Sequence, residues 1–357
     1  MKKFLLWSLA VIAVLAALLG ILKIKHAMNK PQSNYIMLGL EACYQGNLDL
    51  ATKYFEKEIE ESPDHSYARQ QARFALVQTR YRMGDYAKAL DAADEALEEF
   101  SDVDSIAISF LTTKGDVLHG MGKTDEAIEN YGKSLALVPG SPYTHAQRAL
   151  VYLETGDTLK AEADYRAAIA INPVYTTPYI GLATIDMVRL NFEAAAETLS
   201  RAVELNTYNG DIYAFRGKAY LALGKLDQAA DDYIKAVEME NSDSAFDNIH
   251  ELAGQARKVM KRHLLTKAKS DTENEIWYFL LGRMSHADGE YKKAVEYYTK
   301  SNDIKPIAGC WGFIATCHYE HSNYTQALDA VEKGLEISPN NGRLLDLKAD
   351  IITAMER

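Results

Sequence analysis

Three cysteines and eight prolines are few for a chain of 357 residues. Cys310 and Cys317 would lie about two turns, roughly 10 Å, apart on one helix, which is too far for a disulfide. Cys43 is the only other thiol, so a disulfide framework is not expected. The scarcity of proline argues against a linker-rich protein. Basic residues are also in deficit, because the net charge is −11, and the chain therefore lacks the basic surface of a nucleic-acid-binding protein.

Motifs of catalysis and metal binding are missing as well. The sequence contains no glycine-rich phosphate loop, nucleophile elbow or zinc-protease motif. Cys317, His318 and His321 have a metal-like spacing on a helix, but no further ligand is apparent. We therefore predict no enzymatic activity, no metal site and no cofactor.

One long apolar segment, Phe4–Leu22, follows Met1-Lys2-Lys3 and has Ser8 as its only polar residue. Nineteen helical residues rise roughly 28 Å, close to the ~30 Å hydrocarbon core of a bilayer. A cleaved signal peptide is the alternative, but its apolar region is usually only ~7–15 residues long. We therefore predict a retained single-pass anchor, with residues 1–30 forming the anchor and its basic flank.

The orientation of this anchor is less constrained by charge. Lysines flank the apolar segment on both sides, so their distribution does not decide the orientation. A long domain after such a segment translocates largely regardless of flanking charge. We expect the rest of the chain to lie outside the cytoplasm.

A repeated pattern fills the remainder: a turn residue is followed five positions later by alanine. The turn residues are Gly46, Gly84, Gly122, Gly156, Leu190, Gly224, Gly289 and Ser322. The alanines are Ala51, Ala89, Ala127, Ala161, Ala195, Ala229, Ala294 and Ala327. Successive alanines lie 38, 38, 34, 34, 34, 65 and 33 residues apart, which indicates a repeat of about 34 residues.

Other positions keep the same register. Seven residues before the turn the side chain is mostly small, and nine residues after it the side chain is mostly bulky and apolar. Proline occurs seventeen residues after the turn in five of the eight repeats. Each repeat thus reads as two amphipathic helices with small residues at their crossing, and the glycine between them supplies the left-handed conformation that ends the first helix. One pair cannot bury its own apolar faces, so neighbouring pairs must stack.

This pattern resembles the tetratricopeptide repeat family, whose 34-residue helix–turn–helix unit carries the same small, aromatic and proline positions. The closest match to that unit is Gly217-x-x-Tyr220 with Gly224-x-x-x-x-Ala229-x-x-x-Tyr233-x-x-Ala236. The resemblance implies an all-α fold, a right-handed superhelical solenoid, which here would follow one N-terminal transmembrane helix.

The register divides the chain into an anchor region, a repeat region at 32–340 and a capping helix at 342–357. The predicted repeats are 32–65, 70–103, 108–141, 142–175, 176–209, 210–241, a degenerate repeat at 242–274, 275–307 and 308–341. The 65-residue spacing implies the degenerate repeat. The two 38-residue spacings predict longer helices or loops near 64–69 and 102–107.

In the family that the chain resembles, the first helix of each repeat lines a groove that binds ligands. Carrying those positions over yields thirteen candidate contacts for a peptide or partner protein. They are Tyr44, Phe74, Gln78, Tyr81, Asp116, His119, Leu150, Ile180, Met187, Lys218, Phe279, Arg283 and Tyr319. Some of these side chains would instead pack only against a neighbouring helix. No lysine–asparagine clamp for a terminal carboxylate occurs at these positions.

The function that follows is a membrane-anchored scaffold or adaptor that binds a peptide or partner protein, in envelope or membrane-complex assembly. The alternative is a structural role through self-association into a homo-oligomer. A basic stretch, Arg257–Lys269, stands out in the acidic chain. We expect it to form a solvated helix face, with an acidic partner or anionic lipid headgroups as the alternative contact.

Overall fold

The computed structural model describes residues 35–101, 104–205, 208–239 and 243–356, and these residues form nineteen helices and no strand. The predicted anchor lies outside the described residues. Among the described helices, none has the length and apolar character needed to cross a membrane. The helices are α1 (Tyr35–Tyr44), α2 (Leu48–Glu61), α3 (Tyr67–Arg82), α4 (Tyr86–Glu99), α5 (Asp104–Gly120), α6 (Thr124–Leu137), α7 (Pro142–Glu154), α8 (Thr158–Ile171), α9 (Thr177–Val188), α10 (Phe192–Glu204), α11 (Gly210–Ala222), α12 (Leu226–Glu238), α13 (Asp243–Glu251), α14 (Gly254–Ser270), α15 (Glu275–Ala287), α16 (Tyr291–Ile304), α17 (Ala308–Glu320), α18 (Tyr324–Ile337) and α19 (Gly342–Met355).

The turn residues of all eight recognisable repeats have a left-handed backbone, which the sequence predicted for the glycines among them. Six of the eight are glycines with φ between 71° and 85°, and the other two are Leu190 at 61° and Ser322 at 60°. A left-handed residue ends a helix by letting the following amides bond back to its last carbonyls. At the first turn, the amide of Asn47 donates to the carbonyl of Ala42 at 2.9 Å. The two non-glycine turns carry the steric cost that glycine avoids.

The alanines mark the crossing of the two helices, as predicted. All eight are buried, with at most 2% of their surface exposed. The aromatic ring nine residues after the turn lies against the small residue of the first helix. A β-carbon added to Gly217 would lie 2.9 Å from the Tyr233 ring, and one added to Gly282 would lie 2.6 Å from the Tyr298 ring. Only glycine allows these rings to pack so closely.

The chain divides into two compact units, Met1–Asp164 and Tyr165–Arg357. The core of the first unit contains Phe55, Leu76 and Val77, all 3% exposed or less. Apolar clusters also form the core of the second unit, and one of them contains Trp277 of α15 and Met260 of α14. In both units the all-α repeat fold predicted from the sequence is confirmed.

Two irregular parts of the pattern have structural counterparts. α3 and α5 have 16 and 17 residues, compared with 13, 12 and 13 in α7, α9 and α11, so the longer spacings lengthen the first helix. The 65-residue spacing holds the short α13 and the long α14, and Val259, Met260 and Leu264 of α14 are buried. At the carboxyl end, α19 packs on α18 and buries Leu344 and Ile351.

Candidate functional site

The first helices of successive repeats lie side by side within each unit. In the first unit, α3 contacts α1 and α5, and α5 contacts α7. In the second unit, α11 contacts α9 and α13, and α13 contacts α15. We call the surface that these helices present in each unit its first-helix face. A face built from successive helices presents long rows of side chains to which an extended ligand can bind.

The first-helix face of the first unit contains an apolar cleft of about 380 Å³. The cleft is lined by Ile36, Leu40, Tyr67, Gln70, Gln71, Phe74, Ala75, Ser109 and Phe110, which lie on α1, α3 and α5. None of these residues is acidic or basic. The Phe74 ring, 40% exposed, meets the Phe110 ring edge to face at 6.3 Å between centroids. A cleft of this composition suits apolar side chains, and its two amides and two hydroxyls can bind backbone groups.

The other candidates on α1 and α3 differ in exposure. Tyr44 is 94% exposed at the end of α1 and does not line the apolar cleft, and Gln78 is half-buried. Tyr81 packs edge to face on Tyr86 at 5.5 Å between ring centroids. Burial raises the pKa of Tyr81, and the nearby Asp116 carboxylate raises it further. Tyr81 is therefore a neutral hydroxyl beside an acidic group.

Asp116 on α5 is 8% exposed and is held by three donors. Its carboxylate accepts hydrogen bonds from the hydroxyls of Tyr131 at 2.8 Å and Tyr143 at 3.0 Å, and from the amide of Gln147 at 3.3 Å. Burial raises the pKa of Asp116, and the three hydrogen bonds act against that rise. The buried Asp116 carboxylate thus links α5 to α6 and α7 through hydrogen bonds. It is therefore less available to a ligand than its position in the sequence suggests.

Two more candidates border this cluster. His119 Nε2 lies 2.6 Å from Glu154 Oε2, so the side chain links the ends of α5 and α7. Leu150 on α7 is half-buried. Neither residue lines the apolar cleft.

The recesses in the first-helix face of the second unit are lined by charged residues, whereas no charged residue lines the apolar cleft of the first unit. Lys218 is exposed at a recess of about 230 Å³ that it shares with Phe215, Asp247, Asn248 and Glu251. Phe279 and Arg283 line a smaller cavity of about 40 Å³ nearby, which also contains Asp247 and His250. The Arg283 guanidinium lies 4.8 Å above the Phe313 ring, a cation–π contact. Burial lowers the pKa of His250, and Arg283 lowers it further.

The remaining candidates of the second unit are mainly packing residues. Ile180 and Met187 are half-buried against the core cluster around Ala183 and Leu199. Tyr319 on α17 packs on Tyr324 at 5.9 Å between ring centroids. The structure thus places Phe74 in the apolar cleft, Lys218 in one recess of the second unit and Phe279 with Arg283 in another.

Several lining residues of these sites were not among the sequence candidates. The sequence candidates on α3 were Phe74, Gln78 and Tyr81. The apolar cleft also uses Tyr67, Gln70, Gln71 and Phe110. Asp247 and His250 were missed because α13 belongs to the degenerate repeat, which has a left-handed glycine, Gly254, but lacks the alanine five positions later that sets the register. An aromatic residue at the start of a first helix is the sequence feature that would have indicated Tyr67.

The basic stretch on α14 forms ion pairs within the second unit. Lys261 Nζ lies 2.6 Å from Asp288 and 2.9 Å from Glu290, and Arg257 lies 2.7 Å from Asp288. Arg262 pairs with Asp227, and Lys267 pairs with Glu238. Four of the six cations thus pair with acidic residues of neighbouring elements, and Lys258, Arg262 and Lys269 are exposed to solvent as expected. In the described ranges, no three histidine, cysteine or acidic side chains converge as metal ligands.

Comparison with protein families gives a consistent result over much of the chain. A model described as TPR repeat matches residues 115–156. Two models described as tetratricopeptide repeat match residues 36–104 and 181–245, and residues 143–175 and 278–307. Together these matches cover more than half of the sequence.

Curated relatives match at low identity. Superkiller complex protein 3 of Homo sapiens is 24% identical over 281 residues, which is 73% of this chain and 17% of the relative. RNA polymerase II-associated protein 3 of Homo sapiens is 25% identical over 217 residues, which is 60% of this chain and 29% of the relative. This chain therefore spans less than a third of the length of these relatives.

Solved structures also match. A tetratricopeptide repeat protein from Parabacteroides merdae is 17% identical, with a TM-score of 0.46 over 80% of this chain and 97% of that one. BtubC from P. vanneervenii is 16% identical, with a TM-score of 0.49 over 54% of this chain and 91% of that one.

Proposed function

Because the chain belongs to the tetratricopeptide repeat family, whose members mediate protein–protein interactions, we propose that it is a scaffold without catalytic activity that binds a partner protein. The partner would present an extended peptide or an amphipathic helix to the first-helix faces. Two of the relatives are named for complexes or associations with other proteins, which agrees with such a role.

The apolar cleft of the first unit is the observation that carries this proposal. Phe74 is a large aromatic residue left 40% exposed in a concave site, where a ligand side chain would remove it from water. Residues that dominate binding are typically aromatic and lie in such pockets, surrounded by less important contacts. Since no charged residue lines the cleft, its ligand should place an aliphatic or aromatic side chain there.

The second unit would bind a different part of the partner. Lys218, Phe279 and Arg283 line its two recesses together with the acidic Asp247. Mixed charges of this kind select a partner by electrostatic complementarity more than they increase its affinity. We therefore propose that the first unit supplies apolar anchoring and the second supplies selectivity.

The site of action would be a membrane. We propose that Phe4–Leu22 anchors the chain and that the repeats lie on the extracytoplasmic side, which suits a role in envelope or membrane-complex assembly. This proposal depends on the length and apolar character of the segment.

The test is affinity purification of the full chain from detergent-solubilised membranes, with quantitative mass spectrometry of the proteins that co-purify. The matched variants are Phe74→Glu, in the cleft, and Leu159→Glu, an exposed apolar residue on the second helix α8 (76% exposed). We expect Phe74→Glu to reduce the recovery of a specific partner at least about tenfold, because a desolvated carboxylate costs more than 1.4 kcal/mol. Leu159→Glu should leave it unchanged. If both variants recover every partner at the wild-type level, the cleft is not the binding site.

The same cleft could serve self-association, the second candidate function. Sedimentation equilibrium of the detergent-solubilised full chain distinguishes the two. A homo-oligomer that dissociates when Phe74 is replaced by glutamate would favour self-association, whereas a monomer at all concentrations would exclude it.

A further inference from the structure

One side of α1 is apolar, and no residue that the structure describes packs on it. The other side packs on α2 and α3, with Gly39 and Ala42 buried and Cys43 Sγ 3.5 Å from the Thr79 hydroxyl. The free side comprises Met37, Leu38, Glu41 and Tyr44, which we call the free face of α1. Its three apolar residues are all exposed: Tyr44 at 94%, Met37 at 61% and Leu38 at 36%.

The helix at the other end of the repeats provides an internal comparison. α19 also has an exposed side, and that side mixes apolar residues such as Leu345 with three charged ones: Arg343, Asp346 and Asp350. A terminal repeat needs a polar outer surface to remain soluble. The free face of α1 has one charged residue, Glu41, which already accepts a hydrogen bond from Gln45. The low charge of the free face therefore indicates that it contacts another apolar surface and does not remain exposed to water.

The sequence before α1 limits what this contact can be. Twelve residues, 23–34, separate the end of Phe4–Leu22 from Tyr35. Even fully extended, they span at most about 43 Å. They contain three lysines and no acidic residue, so they are drawn to anionic lipid headgroups. In an anchored chain, α1 therefore begins within about 43 Å of the bilayer surface.

We propose that the free face of α1 lies on the surface of the bilayer into which Phe4–Leu22 inserts. Met37 and Leu38 then face the boundary between headgroups and acyl chains. Tyr44 suits the same depth, because its ring is apolar and its hydroxyl can bond to headgroups or water. This inference rests on the proposed membrane anchoring, and it fixes which end of the repeats is closest to the lipid.

The experiment uses the full chain reconstituted into vesicles of phosphatidylcholine and phosphatidylglycerol. An environment-sensitive fluorophore is attached to Met37→Cys or Tyr44→Cys, with Leu159→Cys as the control, all in a Cys43→Ala background. Cys310 and Cys317 are buried, at 0% and 2% exposure, and are protected from labelling. We expect labels at positions 37 and 44 to shift their emission to the blue and to be quenched by lipids that carry a nitroxide at the headgroup. The label at position 159 should show neither effect.

Flotation of the vesicles separates the two proposals. If the chain does not float with the vesicles, the anchoring itself is wrong. If it floats while labels at 37 and 44 remain unquenched, the anchoring stands and this inference is overturned. A blue shift without quenching by lipid would mean that a second copy, a partner protein or the chain's own amino-terminal segment covers the face. That result also overturns the inference, and energy transfer between copies labelled at position 44 would identify the second copy.

Discussion

The hydroxyl of Tyr131 donates a 2.8 Å hydrogen bond to the buried carboxylate of Asp116, which joins α5 to α6 within one repeat. Tyr298 occupies the same repeat position in the second unit, but no described residue bonds to its buried hydroxyl. The residue that corresponds to Asp116 there is Arg283. Two tyrosines with the same packing role thus differ in what their hydroxyls do.

This difference predicts opposite results for the same substitution. Tyr131→Phe should lower the free energy of unfolding by about 1–3 kcal/mol, because it leaves a buried carboxylate short of a donor. Tyr298→Phe should be neutral or stabilising, because it removes a buried polar group that has no partner in the described chain. Urea denaturation of the two variants, followed by circular dichroism, makes the comparison. Equal losses would contradict the difference that we assign to the two hydroxyls.

The Asp116 carboxyl also predicts a dependence on pH. Burial raises its pKa above the unfolded value of 3.8, so the native chain binds more protons than the unfolded chain between those two values. The stability contributed by Asp116 is thus complete below about pH 4 and is lost as pH rises through the folded pKa. Asp116→Asn should therefore gain stability relative to wild type as pH increases from about 4 to 7. The exposed Asp91→Asn is the control, and a gain that fails to grow with pH would contradict the assignment.

Leu190 predicts a stabilising substitution. It has a φ of 61° and is 73% exposed, so glycine would relieve the backbone without loss of packing. Leu190→Gly should raise the free energy of unfolding by about 1 kcal/mol. The reverse change at an equivalent turn, Gly224→Leu, should lower it by a similar amount, since φ is 71° there. Thermal denaturation of both variants tests the pair, and a loss of stability in Leu190→Gly would mean that its side chain makes a contact that matters.

The helix crossing predicts the effect of added volume. Ala195 has no exposed surface, so Ala195→Leu should overpack the crossing and cost about 1–3 kcal/mol. Glu197, two residues away on the exposed side of α10, should accept leucine with little change. Urea midpoints of the two variants measure the difference. Similar midpoints would mean that the register of the repeats is misplaced.

The register of the repeats could be predicted because it depends on local rules. A left-handed turn, a helix crossing that admits only small side chains and an aromatic ring packed on glycine each restrict one position to a few residue types. Eight repetitions of those restrictions are visible without any knowledge of long-range contacts. The left-handed backbone at Leu190 and Ser322 was seen only in the structure, because the sequence predicted that conformation for the glycines.

The candidate site was predicted less well, because its properties depend on neighbours from other repeats. Asp116 was expected to face a ligand, but two tyrosines and a glutamine from α6 and α7 surround it. The basic residues of α14 were expected to face solvent, and the acidic residues of neighbouring elements that pair with four of them were not predicted. Which charges meet is set by helix packing between repeats, and no short sequence pattern encodes it.

By itself the sequence determined the fold, the number and phase of the recognisable repeats and the residues of the helix crossings. These follow from backbone sterics and side-chain volume within about 34 residues. The tertiary structure alone decided that the first unit presents an apolar cleft and that the second presents mixed charges. It also decided that no described residue covers one side of α1. Those features arise where side chains from three or more helices converge, and their burial and pairing exist only after the helices have packed.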